Sequence, residues 1–319
     1  MLELLFLAGL LAQTDVQPLR ETASEAHQTD DPAVWVNRKN LRQSLILGTV
    51  KMPAPDGAIA VYRLDGSRLM SVANVDRPNN IDVAYGLRLG KRRIDIAAAT
   101  ERNKNQVRVF AIVPGQGIKD LAAFPVFDAP MGIALYKRKR DQAIFAIVSR
   151  KTGPSGSYLW QYHLKDDGQG NLTAQKVREF GLYSGSKEIE AIAVDAELEH
   201  IYYSDEGAGI RKYHADPSHP NAAQELALFA TEGWKGDREG LAVQRGYVIA
   251  TDQQPGNSEY HIFDRSTLKK LGVFRIGADT TDGIELSPEV DLFIAMNDNR
   301  RNFILASWKA IAAALQIKP

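Results

Sequence analysis

A chain of 319 residues, 44% hydrophobic and 24% charged, is globular in composition and long enough for one large domain or two ordinary ones. Its 39 basic and 39 acidic residues cancel, so no global field draws it onto nucleic acid or an anionic membrane, and any electrostatic function is local. Cysteine is absent, which excludes disulfides, thiolate metal sites and every mechanism built on a Cys nucleophile.

The first element is an apolar run at residues 4 to 12, the length of a secretory signal core and too short to span a bilayer, with Glu3 where Lys or Arg is usual. Residues 1–14 read as a signal peptide or its remnant and 15–319 as one domain, which makes the protein secreted or periplasmic. Next comes "DDPAVWV", two aspartates before a proline and an apolar strand. It is followed by "SLILGTVK", ending at Lys51, and by "IAVYRLDG", with Tyr62 near its close.

The same three-part sentence then repeats. Segments that resemble "DDPAVWV" recur as "NNIDVAYG", "PMGIALY", "EIEAIAVD", "DREGLAV" and "TDGIEL". Their first residues, Asp31, Asn80, Met131, Glu190, Glu239 and Asp282, are spaced 49, 51, 59, 49 and 43 apart. The second segments end at Lys51, Arg102, Lys151, Glu206, Gln253 and Asp298, spaced 51, 49, 55, 47 and 45. The third carry Tyr62, Phe110, Tyr162, Tyr213 and Phe263. Six units of about fifty residues, each of short strands between Gly, Pro, Asn and Asp turns, predict an all-β six-bladed propeller with four-stranded blades. "SWKAIAAALQI", residues 307–317, predicts a short C-terminal helix with Ser307 as its N-cap, packed on the outside.

In a propeller, equivalent positions form rings around the central channel. One predicted ring reads Asp30/Asp31, Asn80, Met131, Glu190, Glu239 with Asp237 beside it, and Asp282. The other reads Lys51, Arg102, Lys151, Glu206, Gln253 and Asn297/Asp298. Charge is sorted by blade: cations in blades one to three, carboxylates in blades four to six and in the Asp30/Asp31 pair next to them on closure. A lone charge at a strand end is ordinarily a solvated turn residue, and Asp before Pro a turn initiator. Recurrence at one blade position changes that reading. Crowded carboxylates raise one another's pKa unless a cation neutralises them, and an oxygen-only donor set prefers a hard cation, Ca²⁺ above Mg²⁺ or Mn²⁺. The facing arc of Lys51, Arg102 and Lys151 suits a phosphate group. The combination has the logic of metal-assisted phosphoester hydrolysis, with no side-chain nucleophile. The six histidines show no metal-binding spacing and read as surface or satisfied residues, and "GKRR" (90–93) and "YKRKR" (136–140) read as loops between outer strands.

The pieces "DDPAVWVN", "NNIDVAYG", "IDIAAATER", "EAIAVD", "DREGLAV", "ATDQQPGNSEYHIFDR" and "TDGIE" resemble, in order, the β-propeller phytases, the bacterial calcium-dependent 3-phytases. The resemblance runs from about Glu21 to Trp308. It implies release of phosphate from phytate by several Ca²⁺ ions at one channel end. By motif it implies calcium ligands at Asp31, Glu190, Glu206, Asp237, Glu239, Asp282 and Glu21, with Asp30 joining them from the ring. It implies phosphate contacts at Lys51, Arg102 and Lys151, with Asn80 and Met131 on the substrate side and Glu190 and Asp237 completing the catalytic set. Met131 stands where the family carries a Tyr before Gly132, and the loop before "TDGIE" is short. The expected partner is a small phosphorylated substrate, with neither nucleic acid nor membrane, and the expected state a monomer. The alternatives are a propeller that binds calcium and phospho-ligands without turnover and a calcium-dependent hydrolase of another ester such as a lactone.

Overall fold

The structure, a computed structural model, describes residues 13–319, so the apolar run at 4 to 12 lies outside the described residues. Six sheets, antiparallel but for one added strand, surround a channel. Blade one consists of Thr29–Trp35, Leu45–Val50, Ala58–Arg63 and Arg68–Ala73, from the channel outward, and blade two begins with Pro78–Leu89 and Arg92–Glu101. Blades three to five begin with Pro130–Lys137, Ile192–Asp195 and Arg238–Gln244, and blade six with Ile284–Ser287. These first strands touch one another in a closed circuit, blade six back to blade one.

Two N-terminal strands add to what the repeat predicts. Arg20–Glu21 pairs with Asn302–Ser307 and becomes the outer strand of blade six, so the two ends of the chain close the ring together. Gln13–Asp15 runs parallel to Lys270–Arg275 as a fifth strand of blade five. A domain boundary at residue 15 therefore cuts through a strand. Each blade is sandwiched between two others, which is why strands such as Leu45–Val50 and Tyr247–Asp252 are buried at every position instead of alternating. Aromatic side chains fill the seam between blades five and six, where Phe293 packs edge-on against Tyr260 and Phe274. The helix spans Trp308–Ala314, with the Ser307 hydroxyl accepting from Ala310 N at 3.1 Å, and it buries Trp308, Ile311 and Ala312 on that seam.

A sixfold backbone device builds the channel mouth. The residue after each second strand donates its N–H to a carbonyl just upstream of the first strand or ring position: Lys51 to Gln28, Arg102 to Arg77, Lys151 to Ala129, Glu206 to Glu188, Gln253 to Asp237 and Asp298 to Asp279, all at 2.9–3.2 Å. In four blades the first strand then bulges, between Thr29 and Pro32, Pro78 and Ile81, Pro130 and Ile133, and Arg238 and Leu241. The bulge aims two successive residues at the channel. Hydroxyls on the second strand accept the N–H groups it frees: Thr49 from Asp31, Thr100 from Asn80 and Ser149 from Gly132.

Counting from these bulges corrects the predicted ring by one residue in two blades. The equivalent first positions are Asp30, Asn79, Met131, Glu190, Glu239 and Asp282; Asp31 and Asn80 share the second position with Gly132, Ala191, Gly240 and Gly283. The hairpins holding "GKRR" and "YKRKR" join first to second strands, so they lie at the opposite end of the channel and not between outer strands.

Candidate active site at the channel mouth

Lys51 and three carboxylates form the centre of the mouth. The Lys51 ammonium is 2.8 Å from Asp30 Oδ1 and 3.3 Å from Glu190 Oε1. The side-chain amide of Asn79 donates to Glu190 Oε1, and that of Gln253 donates to Asp282 Oδ1. Asp30 Oδ2 is buried without any hydrogen bond. Asp31 is a layer below, its Oδ2 accepting from Ile81 N at 3.0 Å and its Oδ1 filling the space a side chain at Gly283 would need. It looks down a channel of about 440 Å³, shared with Asp82 and Glu285, whose far rim carries Arg38, Lys137 and Lys139.

Beside this centre, Glu206, Asp237 and Glu239 each offer an oxygen, all within 4.8 Å of one another. Asp237 also pairs with Lys187. Burial, then the charges of Glu190 and Glu188, push Glu206 up to about 7. Burial and the surrounding carboxylates raise Glu239 and Asp282 well above the usual range, and burial raises Glu190 against the pull of Lys51. Lys51 is itself largely withdrawn from solvent, which favours its neutral form, yet Asp30, Glu190 and Asp282 outweigh that and raise its pKa. Six carboxylates facing two ammonium groups, Lys51 and Lys187, leave negative charge uncompensated. With the bare Asp30 oxygen and an all-oxygen donor set, they fit a hard divalent cation.

The cationic side stands opposite. Arg102 directs Nη2 onto the Met131 sulfur, while its Nε is buried with no partner. Burial lowers its pKa despite Glu190. Arg77, on the loop that accepts the Arg102 N–H, likewise holds a buried and unpartnered Nε. Lys151 is more open, 45% exposed, with its ammonium on Glu188.

The structure thus gathers Lys51, Arg102, Lys151, Met131, Asp30, Glu190, Glu206, Asp237, Glu239 and Asp282 at one mouth, with Asp31 and Asn80 one layer below. Glu21 stands apart from the two carboxylate groups, held by Arg300 at 3.2 Å and by Asn302 at 2.8 Å. Four mouth residues escape sequence reasoning: Asn79, Arg77, Lys187 and Glu188. Asn79 was adjacent to the predicted position and displaced by the bulge. Arg77 and Glu188 hold the recurrent carbonyl position before the ring, whose residue type varies from blade to blade, and Lys187 is the residue beside it, so no pattern of side chains marks the three.

A family model described as Phytase matches residues 8–319. A 3-phytase of Bacillus subtilis (strain 168) is 31% identical over 344 residues, covering 97% of this chain and 86% of that one. Among solved structures, a gluconolactonase from Xanthomonas campestris superposes with a TM-score of 0.57 at 13% identity, over 91% of this chain and 88% of its own. At that identity the likeness is one of fold. A match along nearly the whole chain and a relative alike through 97% of it carry the assignment: the chain belongs to the phytase family, and so is a phosphatase.

Proposed function

We propose that the protein releases phosphate from phytate, myo-inositol hexakisphosphate, or from lower inositol phosphates, with several Ca²⁺ ions held at the channel mouth. The observation that supports this reading is the meeting of crowded, oxygen-only carboxylates with a cationic arc in which Arg102 and Arg77 each keep a buried, unpartnered Nε. Glu190, Glu206, Asp237, Glu239, Asp282 and Asp30 would hold the ions, with Asp31 below them. Bound calcium supplies Lewis acidity, polarising phosphoryl oxygens and acidifying water.

The chain's own residues do the rest. Lys51 and Arg102, with Lys151 and Arg77 at the flank, neutralise and orient the scissile phosphate, a guanidinium gripping it in two places. Glu190, its Oε1 fixed by Lys51 and Asn79 and its pKa raised, is placed to take the proton of attacking water. The apolar run at 4 to 12, of signal-peptide length, supports a secreted or periplasmic enzyme. Among the described residues no helix is long and apolar enough to cross a membrane.

Phosphate release from phytate, measured with added calcium and again with chelator, tests both halves of the reading. Calcium-dependent release is expected. No release at any calcium level would reject the substrate, and release indifferent to chelator would reject the metal. The lactone alternative has a likeness of fold behind it; gluconolactone turnover exceeding phytate turnover in the same preparation would favour it.

A further inference from the structure

Blade five carries a buried cluster that the channel chemistry does not use. His261, 1% exposed, points Nε2 at Asp252 Oδ2, 3.6 Å away, and Glu259 Oε2, 3.9 Å away. Both separations exceed a hydrogen bond, and Nδ1 has no partner either. One ligand atom from each of the three residues lies within 4.8 Å of the others. A buried imidazole whose Nδ1 has no partner and whose Nε2 faces two carboxylates from beyond hydrogen-bond reach calls for something between them.

Comparison with blade four shows what is missing. There the position equivalent to His261, two residues after the strand start, is occupied by Arg211, whose Nε reaches Asp205 Oδ2 at 2.9 Å. Imidazole is shorter, and the carboxylates of blade five stay unbridged. Their orientation is nevertheless fixed. Asp252 accepts the N–H groups of Lys235 and Gly236, the second at 2.7 Å, and the other oxygen of Glu259 meets the Lys235 ammonium. Trp234 stacks on the His261 ring, centroids 4.2 Å apart and planes 24° apart. Ligands held from behind in this way are the usual architecture of a metal site.

We propose that Asp252, Glu259 and His261 bind a borderline divalent cation, Zn²⁺ foremost, at a site separate from the channel mouth. Tetrahedral ligands at about 2.1 Å from zinc stand roughly 3.4 Å apart, close to the separations seen here. One imidazole nitrogen with two carboxylate oxygens selects zinc over calcium, which prefers six or more oxygens. Burial keeps the imidazole neutral, the ligand-competent state. With three protein ligands, the fourth position is left to water. The consequence is structural: through Lys235 and Gly236, the ion fixes the loop that delivers Asp237 and Glu239 to the mouth.

Isothermal titration of the whole protein with zinc chloride, in saturating calcium, tests this. One zinc per chain is expected, weakened at least 100-fold by His261→Gln and by Glu259→Gln; Co²⁺ at the same site should show a d–d spectrum that both variants lose. Should His261→Gln fail to fold, Glu259→Gln decides by the same readouts. The proposal is overturned if the wild-type chain takes up no stoichiometric zinc, or if both variants bind it unchanged. The latter would put the ion on the stacked pair His214 and His219, whose rings lie 3.6 Å apart.

Discussion

Two sets of buried carboxylates, a few residues apart along the chain, are treated in opposite ways by the same fold. Glu101 and Asp205 end the second strands of blades two and four and are satisfied from within. Asp205 takes the Arg211 guanidinium and both the N–H and hydroxyl of Ser184. Burial pushes Glu101 up, but the N–H of Asp76 together with Lys104 and Gln106 outweighs it and leaves the acid below its usual range. One residue further on begins the mouth, where Glu206, Glu239 and Asp282 are raised because little inside the protein answers them. A carboxylate the fold neutralises is an anchor, and one it leaves charged is addressed to something that arrives from solvent.

The comparison breaks most visibly in stability. Asp205→Ala leaves the buried Arg211 guanidinium to Glu225 alone, 2.6 Å from its Nη1, and frees the loop of Ser184, and should cost about 3 kcal/mol in urea unfolding, with or without calcium. A loss below about 1 kcal/mol, or one that calcium repairs, would erase the distinction between the sets. Glu239→Gln acts on the other set and should do the reverse. It should lower kcat/KM for phytate about 100-fold, near 2.7 kcal/mol, yet raise the melting midpoint of the calcium-free protein by removing one repelling charge. A fall in that midpoint would show that Glu239 is an anchor after all.

Acid and base titration sharpen the same contrast. A carboxyl whose pKa is raised in the folded state contributes stability below its unfolded pKa and loses it as pH climbs through the folded value. For Glu206 that window runs from 4.5 to about 7, and for Asp82, pushed up by burial in the channel, from 3.8 to about 6. The calcium-free midpoint should therefore fall as pH rises from about 4 to 7, and calcium should flatten the slope by holding the mouth carboxylates ionised. Glu101, being lowered, contributes with the opposite sign: its share is present above 4.5 and lost as pH falls below that value. A midpoint that rises with pH across 4 to 7 without calcium would mean that anchors, and not the mouth, dominate the linkage.

How far the sequence carries this picture depends on what repeats. The second ring was legible to the residue, from Lys51 to Asp298, because a charged or amide residue after an apolar strand recurs at nearly constant spacing. The first ring slipped by one at Asp31 and Asn80, because "DD" and "NN" offer two identical candidates and only the bulge, a backbone feature, chooses between them. Gln13–Asp15 and Arg20–Glu21 were invisible for a different reason. Their hydrogen bonds go to strands about 260 to 285 residues away, and segments of two or three residues have no period to detect. His261 reads as surface or satisfied because the motif has no metal-binding spacing: Glu259 stands two residues before it on the same strand, and Asp252 meets the pair only across a folded hairpin.

The smallest expected effect lies on the cationic side, at Met131. Its side chain is 1% exposed and its sulfur receives the Arg102 Nη2, which otherwise would face the phosphate arc with its donors unspent. A thioether is a weak acceptor, so the contact positions the guanidinium without saturating it. Met131→Tyr replaces the sulfur with a hydroxyl that both accepts from Arg102 and donates to a phosphoryl oxygen. One such bond to a charged group is worth about 1.5 kcal/mol, and the strain of seating a larger ring in a packed site takes back about 0.9 of it, leaving about 0.6 kcal/mol. The expected gain is therefore about threefold in kcat/KM for phytate, carried by KM, since the hydroxyl contacts bound phosphate in ground and transition states alike. If KM is unmoved while kcat falls, the sulfur is there to hold Arg102 in place, and the arc works as a rigid cradle instead of a set of separate phosphate contacts.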